Sequence, residues 1–254
     1  SEPLNHAYGT NGIITSLILP TDVKRDWYSV VVNCDDLDKS VEILKLFSAA
    51  AINLKLGAIL EKDIVEYMPK WFKGENKSHK VVLQVSLGGI QTIDLICKKY
   101  DLELQNLGRD IDLEYGISDV VWNHTTLQMR AKDKKWTYLQ MLLPLGDELK
   151  LIKTMRKKYG RNLLWHLEAV SQQGVPRLAA LPVLKWSGES ELTQIIDDCK
   201  LLGAIIFNPH TITVEGGGLG VVDADQVKAK IKYDPKGLLN PGKLEGWEKR
   251  NIYN

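Results

Sequence analysis

Cysteine is scarce in this chain: Cys34, Cys97 and Cys199 are the only three in 254 residues, far apart and odd in number. That argues against a disulfide framework and a zinc cluster and fits a reducing compartment, with the cytoplasm as the default. Neither sign of charge is in excess. Lys and Arg number 33 against 32 Asp and Glu, a net charge of +1, which argues against a surface built to hold nucleic acid or an anionic membrane. No apolar run approaches the roughly 20 residues that span a bilayer, and the N-terminus has no charged-then-apolar signal pattern. The seven Trp and nine Tyr are scattered without interleaved basic residues, so there is no stacking track for single-stranded nucleic acid. Histidine is sparse too. His6, His79, His124, His166 and His210 include no i, i+4 pair and no HExxH pattern, and no metal site is expected.

What is present is apolar content, 44%, sufficient for the core of one large or two small domains. After a polar connector at 20–26, residues 27–33 read as a strand, and Asp35 and Asp36 offer N-caps to a helix whose Leu37, Val41, Leu44 and Phe47 share one face. A strand at 54–60 follows, then an amphipathic segment from Glu61 broken at Pro69. Residues 81–87 alternate as a half-buried strand ended by Gly88 and Gly89. A helix carrying Ile90, Ile93, Ile96, Cys97 and Tyr100 comes next, then a short strand at 102–107. The acidic residues 108–116 predict a loop or lid. From Trp136 the grammar repeats: strand to Leu143, helix with Leu149, Ile152, Met155 and Tyr159, strands at 163–170 and 177–186, helix with Leu192, Ile195, Ile196 and Cys199, strand at 204–207. Pro182 assigns the strand containing it to an edge or a bulge. The doubled pattern predicts an α+β fold with two ferredoxin-like halves sharing one antiparallel sheet covered by helices. Within it, His124 falls on a strand approach, and His166 and Glu168, two apart on one strand face, read as a solvated pair. Residues 215–220 read as a flexible loop, because the glycine spacing is not GxGxxG and Asp223 and Asp225 occupy the start of the next helix.

The two ends carry the motifs. His6-Ala7-Tyr8-Gly9-Thr10-Asn11-Gly12-Ile13-Ile14-Thr15, continuing into Leu17, Ile18 and Leu19, describes a tight turn feeding a buried strand, with bare backbone at both glycines that a flat ligand can approach. At the other end, Asp234-Pro235-Lys236-Gly237-Leu238-Leu239-Asn240-Pro241-Gly242-Lys243 sets two proline-anchored turns around Asn240. Together GTNGIIT and DPKGLLNPGK resemble the FAD-linked oxidases and dehydrogenases of the vanillyl-alcohol-oxidase superfamily, especially the branch similar to glycolate oxidase and D-lactate dehydrogenase.

The resemblance implies that the first motif ends a flavin-binding domain, its backbone against the isoalloxazine ring, and that the last returns from a cap domain to the flavin. Gly9, Thr10, Gly12, Ile13, Ile14 and Asn240 are then the implied FAD contacts. It divides the chain into 1–22, the terminal segment of the FAD-binding domain; 23–215, the cap and substrate domain; and 216–254, the return segment. It also implies a preceding lobe that holds the FAD pyrophosphate and is absent from this sequence, so that the partners are that N-terminal lobe and a small-molecule substrate. Without the lobe, an apolar surface around Ile13, Ile14 and Leu17 would be left for a homodimer to cover.

The hydroxy-acid branch often carries a metal-binding GDGNxH stretch. Here Phe207-Asn208-Pro209-His210-Thr211 keeps one histidine and lacks the rest, which counts against a metal and against a hydroxy-acid substrate. His210, set beside Pro209 and leading to the terminal motif, is the first catalytic candidate, an imidazole suited to taking a proton from substrate. His124, in a polar cluster with Asn123, Thr125 and Thr126, is the second. The expected activity is FAD-dependent oxidation of a small organic substrate by hydride transfer. The alternative is a non-enzymatic α+β binding module of the same architecture.

Overall fold

The computed structural model describes residues 2–74, 77–217 and 224–249. They divide into a larger unit, Lys24–Ile205, and a smaller one made of Ser1–Val23 with Ile206–Asn254.

In the larger unit the first half runs β1 (Trp27–Cys34), α1 (Leu37–Ala49), β2 (Leu54–Leu60), the one-turn helices α2 (Lys62–Val65) and α3 (Lys70–Lys73), β3 (His79–Ser86), α4 (Leu87–Lys99) and β4 (Glu103–Arg109). Asp36 caps α1, its carboxylate accepting the Lys39 N–H at 2.9 Å. A linking segment ends in α5 (Asn123–Lys132). The second half is β5 (Trp136–Tyr138), β6 (Gln140–Leu142), α6 (Glu148–Tyr159), β7 (Leu163–Leu164), β8 (His166–Gln172), β9 (Val175–Ala180), β10 (Val183–Lys185), α7 (Glu189–Leu201) and β11 (Ile205–Phe207).

Eight strands make one sheet in the order β11-β6-β9-β8-β2-β3-β1-β4. Numbering β1 to β4 as one to four, and β6, β8, β9 and β11 likewise, gives the order 4-1-3-2 in each half, the split βαβ arrangement. The halves join where β2 pairs antiparallel with β8. This is the duplicated antiparallel layer that the sequence pattern predicts. Leu44 of α1 lies so close to β2 that a Cβ on Gly57 would come within 2.9 Å of it. By the pleat, Ala58 and Leu60 face the other way, where Ile117, Val120, Val121 and Met129 cover them. The acidic stretch after β4 is thus held down at its start, with the Ser29 hydroxyl donating to Asp110 at 2.7 Å.

Two local expectations are corrected. The long strands expected at 136–143, 163–170 and 177–186 each break, and their outer parts leave to form a second sheet, β5-β10-β7. Pro182 has no N–H to continue a ladder, and its carbonyl instead accepts the Leu139 N–H at 3.1 Å. At the third break Trp165 is fully buried. Residues 123–132 are helical rather than a strand approach; the segment has few apolar residues, and burial of Met129, Thr125 and Thr126 holds it.

His79 is buried beside α2, its Nδ1 accepting the Lys62 N–H at 3.2 Å. Burial, with Arg156 and Lys62 nearby, pushes its pKa down to about 4. The unfolded chain therefore binds this proton first: stability from His79 is full above about pH 6.5 and is lost as the pH falls towards about 4. Urea melts across that window should show the loss in the wild type and a flatter profile for His79→Gln; parallel profiles would contradict it.

In the smaller unit the helices are α8 (Val214–Gly217), α9 (Ala224–Tyr233) and α10 (Glu245–Glu248), packed around Val214, Leu244 and Trp247. Residues 215–217, expected as loop, lie in α8, and 218–220 fall outside the described residues. The buried strand expected after Gly12 does not form. Residues 12–26 pair with no strand among the described residues, and Ile13 is 80%, Leu17 65% and Ile18 100% exposed. A β-branched run has strand propensity, but only a neighbouring strand supplies the hydrogen bonds that realise it. Among the described residues no helix is long and apolar enough to cross a membrane.

Candidate functional site

The smaller unit brings the two terminal motifs together. Lys230, on the buried face of α9 and 1% exposed, donates to Thr10 O at 2.9 Å, Asp234 Oδ2 at 2.8 Å and Leu239 O at 3.0 Å. Asp234 Oδ1 accepts the Leu238 N–H at 2.9 Å and Oδ2 the Leu239 N–H, also at 2.9 Å. One ammonium thus ties a carbonyl of the first motif to a carbonyl and a carboxylate of the last. Asn240 completes the join, Nδ2 donating to Tyr8 O at 2.5 Å. Gly9 (φ 67°) is left-handed, and a Cβ there would stand 3.0 Å from that amide nitrogen. His6, Tyr8 and Asn240 also have positive φ, so half of the six non-glycine residues with this strained backbone among the described residues sit in these two motifs.

Beside the join is a cleft of about 610 Å³ with Ile13, Ile14, Leu17, Tyr233, Leu238 and Leu239 on its walls and Gly12 contributing bare backbone. Of the six residues expected at a flavin, Gly12, Ile13 and Ile14 line this cleft. Gly9 and Asn240 form the join. Thr10 is fully buried, its hydroxyl 2.6 Å from Ala7 O and 2.7 Å from Asn11 Oδ1, and so braces the turn from inside.

The two histidine candidates lie in different units. His210 is exposed in the loop after β11, its N–H donating to Asn208 Oδ1 at 2.9 Å. The nearby acid Glu215 is committed elsewhere: it is buried, and its carboxylate accepts the Gly246 N–H at 3.0 Å and the Glu245 N–H at 3.1 Å, capping α10. In the larger unit, His124 is in the first turn of α5 with Nδ1 2.7 Å from Ser118 O.

The solvated reading of His166 and Glu168 is corrected as well. His166 is fully buried, its Nε2 3.3 Å from Glu168 Oε1, and the same oxygen accepts the Trp122 N–H at 2.9 Å. The turn carrying Trp122 reaches over this part of β8, so its face is covered where an isolated strand would be wet.

A flat apolar group fits the 610 Å³ cleft. A diphosphate finds less: Lys230, with three donors and three protein acceptors, has none left for it.

No family model and no curated protein matches the chain. Among solved structures, alkyldihydroxyacetonephosphate synthase matches 86% of this chain and 44% of its own, with a TM-score of 0.54 at 10% identity. A 4-ethylphenol oxidase from Gulosibacter chungangensis, solved with isoeugenol, matches 86% of this chain and 53% of its own, with a TM-score of 0.50 at 12% identity. The chain spans about half the length of these structures and shares their fold over that span.

Proposed function

We propose that this chain is the cap and flavin-facing C-terminal portion of an FAD-dependent oxidoreductase of the vanillyl-alcohol-oxidase superfamily, acting on a small organic substrate. The observation that carries the reading is the smaller unit's join. Two motifs more than 200 residues apart are locked by Lys230 and Asn240 beside an apolar cleft, with strained backbone concentrated at the contact. The fold shared with an alkyldihydroxyacetonephosphate synthase and a 4-ethylphenol oxidase supports it. In this reading Gly12, Ile13 and Ile14 hold the isoalloxazine face, Thr10 and Asn240 fix the turn that presents them, and a preceding lobe binds the pyrophosphate and adenine. Bound flavin would accept hydride from the substrate. His210 is the proposed proton acceptor.

If the chain holds only the ring, FAD gains nothing over riboflavin. Three charge-assisted hydrogen bonds to the diphosphate, each roughly 1.5–3 kcal/mol, would be missing, some three to six decades in affinity. Titration of riboflavin and of FAD into the 254-residue chain, followed by flavin fluorescence, is expected to give weak binding of equal strength for both. Leu238→Glu, at an exposed position on the cleft wall, should remove it. Submicromolar FAD would show a complete flavin site within this chain, and no quenching by either compound would exclude the join as a ring site.

A further inference from the structure

The larger unit has its own cleft, about 680 Å³, bounded by α1, the start of α6 and the first residues of β9. Its walls are largely apolar: α1 contributes Leu46, 40% exposed, α6 contributes Leu149, and β9 contributes Pro176 and Leu178. Two charges of each sign also line it, Lys45 and Arg177 against Glu42 and Glu148. Arg177 is held in place, its Nη1 donating to Gln172 Oε1 and its Nη2 to the Leu143 carbonyl, both at 2.7 Å. Lys45 and Glu148 are less committed. Their one bond runs from Nζ to Oε2 at 3.2 Å, which leaves two hydrogens of the ammonium and the Oε1 of the carboxylate without partners among the described residues. Four carboxylates are buried among the described residues. Glu61, Glu215 and Asp234 each take two or more donors, whereas Glu148, 3% exposed, takes one. A buried carboxylate short of donors is costly, and a donor supplied from the cleft removes that cost.

We infer that this cleft binds a free α-amino acid with a large apolar side chain, its ammonium on Glu148, its carboxylate on Lys45 and its side chain against Leu46 and Leu149. Charge balance selects the zwitterion. With two positive and two negative groups around the cleft, a lone cation or a lone anion meets repulsion along with attraction, whereas a molecule carrying both charges on one carbon answers both members of the Lys45–Glu148 pair. Lys45 is free to turn towards it, since its side chain is 47% exposed and a single bond holds it. The apolar walls select the side chain. The inference is independent of flavin, because every residue it uses lies within the larger unit.

The test uses the whole chain without flavin and four probes: L-leucine; 4-methylpentanoate, which lacks the ammonium; 3-methylbutylamine, which lacks the carboxylate; and glycine, which lacks the side chain. Amide N–H shifts in an NMR titration locate binding and give its strength. Leucine is expected to bind at least about tenfold more tightly than any of the other three, because each of them forfeits one charge-assisted contact or the apolar one. Shifts should be centred on residues 45–49, 146–149 and 177–178. Glu148→Gln should erase the preference for leucine over 4-methylpentanoate and keep that over 3-methylbutylamine. Lys45→Met, at a half-exposed position, should do the reverse. Equal binding of leucine and any one of the other probes by the wild type, preferences that survive both substitutions, shifts centred elsewhere, or no shifts at millimolar leucine would each overturn the assignment.

Discussion

Lys230→Met is expected to unfold the smaller unit while the eight-stranded sheet keeps its protection. The ammonium is 1% exposed, makes three hydrogen bonds of 2.8–3.0 Å and lies 5.4 Å from the centre of the Trp247 ring. Methionine fills the volume but leaves Thr10 O, Leu239 O and the Asp234 carboxylate without their cation. Losing a buried charge with several hydrogen bonds costs about 3–5 kcal/mol, a large part of what a unit of this size commands. Hydrogen exchange resolves the outcome: the Thr10 and Leu239 amides should lose protection, while those of β1 and β3 should not. Equal protection in variant and wild type would mean that the join holds without the lysine. The same pair sets an acid limit. Lys230 and the Leu239 and Leu238 N–H groups hold the Asp234 pKa down to about 2. The stability it lends is therefore complete above the ordinary carboxylate value near 4 and is lost as the pH falls towards about 2.

The second large effect is expected at Glu61, where the end of β2 meets the break between β7 and β8. Its backbone N–H donates to Trp165 O at 3.0 Å. Its carboxylate accepts the Trp165 N–H at 2.8 Å and Arg156 at 3.0 Å. Glu61→Ala strands a buried N–H and unpairs a guanidinium, about 3 kcal/mol from the two together. Glu61→Gln keeps an acceptor for Trp165 and should lose about half as much; a larger loss for Gln than for Ala in denaturant melts would show that the backbone contact is not what matters. Burial outweighs both partners and raises the Glu61 pKa. The sign is thus opposite to that of Asp234: the folded state holds this proton more tightly, so Glu61's contribution grows as the pH falls and is lost as it rises through the raised pKa.

Much of the fold is legible in local pattern. The Asp36 cap, the strand through Val81, Leu83 and Val85, and the helical spacing at Ile195, Ile196 and Cys199 are each expressed by neighbours in sequence, although β3 is buried on both faces, Val82 and Gln84 included, where the alternation reads as half-buried. The halves repeat that grammar, and the sheet repeats with them. The missing N–H of Pro182 reads as an edge or a bulge; the strand instead breaks there, with β9 between β6 and β8 and β10 between β5 and β7, and the sheet exchange at Leu139 and Trp165 has no local signal, because partner choice is a long-range matter. Helix α5 was hidden for the same reason: Asn123 to Lys132 has little amphipathic pattern, and its stability comes from burial of Met129.

The site divides along the same line. The terminal motifs were visible as glycine and proline spacing, which is local chemistry. In sequence Lys230 is one of three lysines of α9 with no signal of its own; only folding surrounds it with three acceptors and removes water. Glu215 and the His166–Glu168 pair gain their roles the same way, from neighbours 30 residues off in one case and a covering turn in the other. The sequence by itself determined the strands and helices whose hydrophobic period is local, such as α1, β3 and α7, and the turns that need glycine, because backbone sterics and hydrophobic period act within a few residues. Tertiary structure alone decided which polar groups are buried and with whom, and that Ile13 to Leu19, strand-like in sequence, stays exposed among the described residues, because a strand exists only with a partner.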